Sequence, residues 1–151
     1  MIIILEKKGY KVGIKSLNYI EFIKSPVVYI ISLQKSEDIS MVKEKFKSFK
    51  EENQKLEFGN KRAVSYLPKG FIKNRSNTLY VGSIKKGFHR RIKQHLGLGN
   101  FQTGALNLKY WIAPETKLIL SYVIINNSEL TYDIEAGISV LLNPIIGKRE
   151  Q

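Results

Sequence analysis

Few residues of this chain have the type and spacing to do chemistry. Arg91 and His95 lie four apart in the segment Phe88–Leu96. On a helix they would share one face. Tyr29 and Tyr80 each sit in a run of β-branched and aromatic residues. An arginine, a histidine and a tyrosine on one surface can bind a phosphodiester, stabilise its developing negative charge and move a proton. Taken on spacing alone, the same residues also read as cations on a solvated helix and aromatics in a core.

Other chemistries have less to work with. There are no cysteines, which excludes a disulfide scaffold, cysteine zinc sites, iron–sulfur ligation and a cysteine nucleophile. The two histidines, His89 and His95, are six apart and do not share a helical face. There is no glycine-rich phosphate loop and no Gly-x-Ser-x-Gly turn. Two-metal nucleases need several convergent carboxylates. The last helical segment has only Asp133 and Glu135, two apart and so on different sides of a helix. A one-metal mechanism is the most these residues allow.

Charge points to the class of partner. The chain carries a net charge of +12, with 25 Lys and Arg against 13 Asp and Glu. From Phe58 to Pro114 there is no acidic residue and there are 11 cations, among them Lys61, Arg62, Lys69, Lys73, Lys85, Lys86 and Arg90. The rest of the chain is nearly neutral. An acid-free stretch of this length suggests a surface for a polyanion, nucleic acid before acidic lipid. No apolar run reaches the roughly 20 residues of a membrane helix. The apolar Met1–Leu5 is followed at once by Glu6, Lys7 and Lys8, with no basic segment before it, so no secretory signal is expected. The expected location is cytoplasmic.

The elements that must position these residues follow from periodicity. Val27–Leu33 is apolar on both faces and reads as a buried strand. Ser36 can cap a helix whose apolar stripe is Ile39, Val42, Phe46, Phe49 and Leu56, ending before Gly59. Gly59–Asn77 is irregular and basic. Thr78–Gly82 is a second strand, Phe88–Leu96 a second helix and Thr116–Ile125 a third strand. Asn127 or Ser128 caps a last helix that runs to about Leu142 and is ended by Pro144. Met1–Leu5 reads as an N-terminal strand or a short core segment, and Leu17–Ile23 is compatible with a short helix. Trp111 and Tyr110 are expected at the core or its rim, though Trp111 lies in the basic span and could stack on a base. The expected class is mixed α and β (α+β) in one domain.

Tyr80-Val81-Gly82-Ser83, followed by Phe88-His89-Arg90-Arg91-Ile92-Lys93-Gln94-His95-Leu96, resembles the second half of the GIY-YIG nuclease motif. There, a Tyr-Ile/Val-Gly strand leads to a helix bearing Arg-x-x-x-His. Val27-Val28-Tyr29 resembles the first half, and Glu135 in Ile134-Glu135-Ala136-Gly137, ahead of Pro144, resembles the family's later glutamate. The resemblance covers about residues 26–148 in the right order. It implies a small central antiparallel sheet of about three strands flanked by helices, and hydrolysis of nucleic-acid phosphodiesters with one divalent metal. Tyr29 and Tyr80 would be neighbours, and one of them, Tyr29 first, would position or deprotonate the attacking water. Arg91 would contact the scissile phosphate, and His95 would assist proton transfer or hold that phosphate. Glu135 would bind the metal, Mg²⁺ or another divalent cation. All five would converge on one concave basic face.

Two departures stand out. The family's motif halves are usually about ten residues apart, but Tyr29 and Tyr80 are separated by 51. The insert, residues 34–77, contributes a helix and a basic segment that could contact DNA. The family often has an asparagine three residues after the proline, where this chain has Gly147. The expected activity is that of an endonuclease acting on DNA, with a restriction-type role among those open to it. A non-catalytic nucleic-acid-binding module on the same fold and a ribonuclease remain open, as do the target and the oligomeric state.

Overall fold

The computed structural model describes residues 2–7, 10–13, 20–68, 70–99 and 102–147. Its centre is an antiparallel trio of strands: β3 (Val27–Leu33), β4 (Thr78–Ile84) and β5 (Lys117–Ile124). β3 lies between the other two, with Tyr29 opposite Gly82 on β4 and opposite Tyr122 on β5. A hairpin of β1 (Ile2–Lys7) and β2 (Tyr10–Gly13) extends the sheet, giving the order β2-β1-β5-β3-β4.

The fold is thus α+β, with three helices around a three-stranded antiparallel centre. The complete sheet has five strands and is mixed, because β1 runs parallel to β5. The apolar N-terminal run forms a strand, so the sheet is larger than the expected three. Of the short helix expected over Leu17–Ile23, residues 17–19 lie outside the described residues, and Ile20–Ile23 form a turn. Among the described residues no helix is long and apolar enough to cross a membrane.

β3 is central, and most of its side chains are buried on both faces. That is why it reads as a continuous apolar run rather than an alternating one. On one side of the sheet, α1 (Ile39–Gln54) buries Ile39, Val42 and Phe46. Leu56 lies past the end of α1 and is exposed. Residues Ser36–Asp38 form a 3-10 turn ahead of α1, and no side chain caps the helix. Trp111 is core: its indole packs on Phe46 at 5.1 Å and donates to the Leu106 carbonyl at 2.7 Å. Base stacking by Trp111 is therefore ruled out in this arrangement.

The insert braces the sheet. Lys43 on α1 is buried and donates to the carbonyls of Ile72 (2.7 Å) and Asn74 (2.8 Å). Asn74 Nδ2 donates to the Asn143 carbonyl (2.9 Å), and Ser76 Oγ to the Leu142 carbonyl (2.7 Å). Those carbonyls end α3 (Thr131–Leu142), where helical carbonyls lack partners of their own. After α3 the chain runs along the outer edge of β4: Ile145 N–H donates to the Thr78 carbonyl and Ile146 N–H to the Leu79 carbonyl.

Candidate active site

β4 ends in a loop through Lys85 and Lys86, and α2 (Phe88–Leu96) begins at Gly87, whose φ of +79° suits glycine. α2 turns Phe88, Ile92, His95 and Leu96 into the core. Arg91 then sits one turn before His95, at the edge of that buried stripe.

Tyr29, Tyr80, Arg91 and His95 come together here. The Tyr29 and Tyr80 rings stack at 6.1 Å, and His95 lies 5.7 Å from the first and 4.6 Å from the second. Gly82 makes this possible. A Cβ there would lie 2.6 Å from both Tyr29 Oη and the Tyr80 ring, so any side chain would displace both rings. This is the physical reason for a glycine two residues after Tyr80.

The hydrogen bonds fix the tautomer of His95. The Leu106 N–H donates to Nδ1 at 3.2 Å, so Nδ1 carries no proton. Nε2 carries it and donates to the Tyr29 hydroxyl oxygen at 2.8 Å. Arg91 Nε donates to the same oxygen at 3.3 Å, and Arg91 Nη2 reaches the Tyr80 hydroxyl at 3.5 Å. Arg91 Nη1 is steadied by Gln94 Oε1 (3.1 Å) and the Gly104 carbonyl (3.0 Å). One guanidinium therefore spans both tyrosines and remains half-buried, with part of its edge open to solvent.

Burial separates the roles. Tyr29 and His95 are each 0% exposed. Burial pushes the Tyr29 phenol above its ordinary range, and the neighbouring Tyr80 adds to this, while Arg91 opposes it. Burial, then the Arg91 charge, holds His95 well below its usual range, so it is neutral near pH 7. The expected contact of His95 with a phosphate is not available to an enclosed ring. Deprotonation of water by Tyr29 is not available either, because its oxygen is enclosed and its proton tightly held. Tyr80 is half-buried and faces the open side of the cluster.

The expected convergence of all five residues on one concave face is not met: Tyr29, Tyr80, Arg91 and His95 cluster, and Glu135 stands apart from them. It lies on α3 and accepts a hydrogen bond from Ser83 Oγ. Ser83 follows Gly82 on β4, and successive strand residues point to opposite faces. Arg91 and Glu135 thus flank the edge strand from its two sides. The Glu135 charge reaches Tyr29, where it makes the smallest of the contributions that raise the phenol. Ser83 is the site residue that spacing alone did not single out. Its signal was its place directly after the Tyr-Val-Gly run.

A divalent cation fits Glu135 in kind. Mg²⁺ keeps several waters and is held through one or two carboxylates plus substrate phosphate oxygens. Glu135 offers such a carboxylate, half-buried at the strand edge beside the Ser83 hydroxyl. Gly147 has φ +117° and would place a Cβ 3.2 Å from the Tyr80 ring, so an asparagine there would strain the backbone and require the Tyr80 ring to shift by a few tenths of an ångström.

The basic residues divide. Lys61, Lys73, Lys85, Lys86 and Arg90 are exposed, and the last three surround the loop that leads into α2. Arg62 is engaged internally, with Nε donating to Asn107 Oδ1 (2.8 Å), Nη2 to the Gly99 carbonyl (3.3 Å) and its guanidinium over Tyr110. Its expected role as a phosphate contact gives way to bracing the insert against the 97–110 segment. Lys69 lies outside the described residues. No family model matches the chain, no curated protein matches it, and no solved structure matches it.

Proposed function

We propose that this chain is a metal-dependent endonuclease that hydrolyses phosphodiester bonds of nucleic acid, DNA first. The observation that carries the reading is the guanidinium of Arg91 spanning two stacked tyrosines, with Glu135 across the same edge strand. Water attacks phosphorus, the bond to the 3′ oxygen breaks, and the products are a 5′ phosphate and a 3′ hydroxyl.

Arg91 meets the phosphate with its open edge and stabilises the charge that grows on the non-bridging oxygens. Four of its five N–H donors are held by Tyr29, Tyr80, Gln94 and Gly104, which leaves one on Nη2 for a phosphate oxygen. Tyr80, half-exposed beside Arg91, orients the attacking water. Tyr29 and His95 are positioning residues: His95 donates to Tyr29, Tyr29 accepts from Arg91, and the guanidinium is thereby aimed before substrate arrives. Glu135 holds the divalent cation, which when bound supplies positive charge for the departing 3′ oxygen. Lys85, Lys86 and Arg90 bind the neighbouring backbone.

A second reading, a nucleic-acid-binding module without turnover, is favoured by Gly147, which stands where the resemblance calls for an asparagine and has a backbone strained for one. Purified protein incubated with plasmid DNA, and in parallel with RNA, in Mg²⁺ against EDTA separates the readings. Mg²⁺-dependent nicking or linearisation, lost in Glu135→Gln, supports the endonuclease. Retarded DNA with no cleavage in any divalent metal supports the binding module, and cleavage confined to RNA supports a ribonuclease.

A further inference from the structure

α3 is the most apolar helix of the molecule and the least buried. Seven of its 12 residues are Tyr, Ile, Ala, Val or Leu, yet only Thr131 is fully enclosed. Val140 is 77% exposed, Leu141 83% and Tyr132 64%. Gly137, between them, has open space where a Cβ would stand. A helix with this composition is normally covered, and contiguous exposed apolar side chains mark an interaction surface.

Charge around this face identifies the occupant. No Lys or Arg occurs from Leu118 to Gly147, although the chain as a whole is +12. The N-terminal end of α3 carries Glu129 and Asp133, both exposed. Its C-terminal end is tied by Asn74 and Ser76 to the loop that holds Lys73 and Arg75, also exposed. The face therefore has two carboxylates against the single ammonium of Lys85, 5.5 Å from the Tyr132 ring centroid, at one end, apolar side chains in the middle and two cations at the other. Such a surface is complementary to itself when turned by a two-fold axis across the helix. An anionic membrane surface would disfavour the exposed carboxylates of Glu129 and Asp133 on this face.

We propose that α3 is an isologous interface with a second copy of this chain, the two helices crossing antiparallel near Gly137. Val140 and Leu141 of one protomer cover Tyr132 of the other, and Asp133 faces Arg75 across the axis. Small residues at the crossing let the helices approach closely, and their dipoles oppose. The proposal does not depend on the chemistry at Arg91. If that chemistry holds, it also brings two Glu135-bearing helices together in one assembly.

Sedimentation equilibrium tests it on the full chain, whose protomer mass is 17.4 kDa. The wild type sediments at twice that mass in the low micromolar range. V140D and L141D, at exposed positions, weaken association by about 100-fold with unchanged far-UV circular dichroism. Asp133→Arg and Arg75→Asp each weaken it, and the double exchange restores it. A wild type that stays monomeric to about 100 µM, a dimer indifferent to V140D and L141D, or a double exchange that fails to restore association overturns the proposal. Plasmid cleavage is read separately, so a monomeric nuclease and an inactive dimer are distinguishable outcomes.

Discussion

α2 and α3 both carry residues of the proposed site, and they are held in opposite ways. α2 buries Phe88, Ile92, His95 and Leu96 and fixes Arg91 through five hydrogen-bonding partners on Tyr29, Tyr80, Gln94 and Gly104 and its own helix. α3 buries little of its length and is tied at points: Glu135 to Ser83, and its last carbonyls to Asn74 and Ser76. The guanidinium is thus preorganised by a packed core, and the carboxylate by a few polar tethers. Changes near α2 should disturb stability and activity together. Changes on α3 should disturb activity or association and leave the fold intact.

Predictions from this contrast run from large to small. Arg91→Ala should lower the cleavage rate by roughly 10²–10³, the size of losing one preorganised donor to a developing oxyanion. Arg91→Lys should recover little of it, because an ammonium cannot reproduce the planar fork that spans both tyrosines and still meets a phosphate oxygen. Single-turnover cleavage at saturating enzyme checks both.

Tyr29→Phe removes the acceptor of the buried His95 Nε2–H and of Arg91 Nε. An unpaired buried donor costs about 1–3 kcal/mol. Denaturant unfolding should show a loss in that range for Tyr29→Phe and a smaller one for Tyr80→Phe, whose hydroxyl is half-exposed.

The buried pair also sets a pH window. His95 is depressed in the fold, so its contribution is complete above its unfolded value of about 6.5 and is lost as pH falls below it. Tyr29 is raised in the fold, so its contribution is complete below its unfolded value of about 10 and is lost as pH rises above it. Stability should be flat between these limits and decline outside them, by up to about 1.4 kcal/mol per pH unit for each group. Thermal melts of wild type and Tyr29→Phe from pH 5 to 11 check this: the variant should show a smaller alkaline decline, with half-buried Tyr122, also raised, supplying what is left.

The smallest effects belong to the exposed cations. Replacing Lys85, Lys86 or Arg90 should each reduce the salt dependence of DNA binding by about 0.9 in the log–log slope. Arg62→Ala should act on stability instead, through Asn107 and Gly99.

Much of this was legible in the sequence, for identifiable reasons. Val27–Leu33 and Phe88–Leu96 match observed elements residue for residue, because a fully apolar run and a glycine-bounded amphipathic segment each have one simple solution. The pairing of Tyr29 with Tyr80 followed from the motif order. Less could be read where the decisive contact is between distant segments. Nothing local shows that Arg62 turns inward to Asn107, or that Lys43 is buried against the 72–74 carbonyls. The enclosure of Tyr29 and His95 depends on Phe88 and Leu106 closing over them. Glu135 was placed by order along the chain, but its approach from the far side of β4 depends on how α3 docks.

The central claim is that Arg91 and Glu135, on opposite sides of β4, serve one phosphate. Single-turnover cleavage of a labelled duplex by Glu135→Gln in Mg²⁺, with DNA binding measured alongside, tests it most directly. The account predicts that cleavage is abolished while affinity stays within about threefold of wild type, since a rim carboxylate contributes little to backbone binding. Cleavage by Glu135→Gln at the wild-type rate would contradict it.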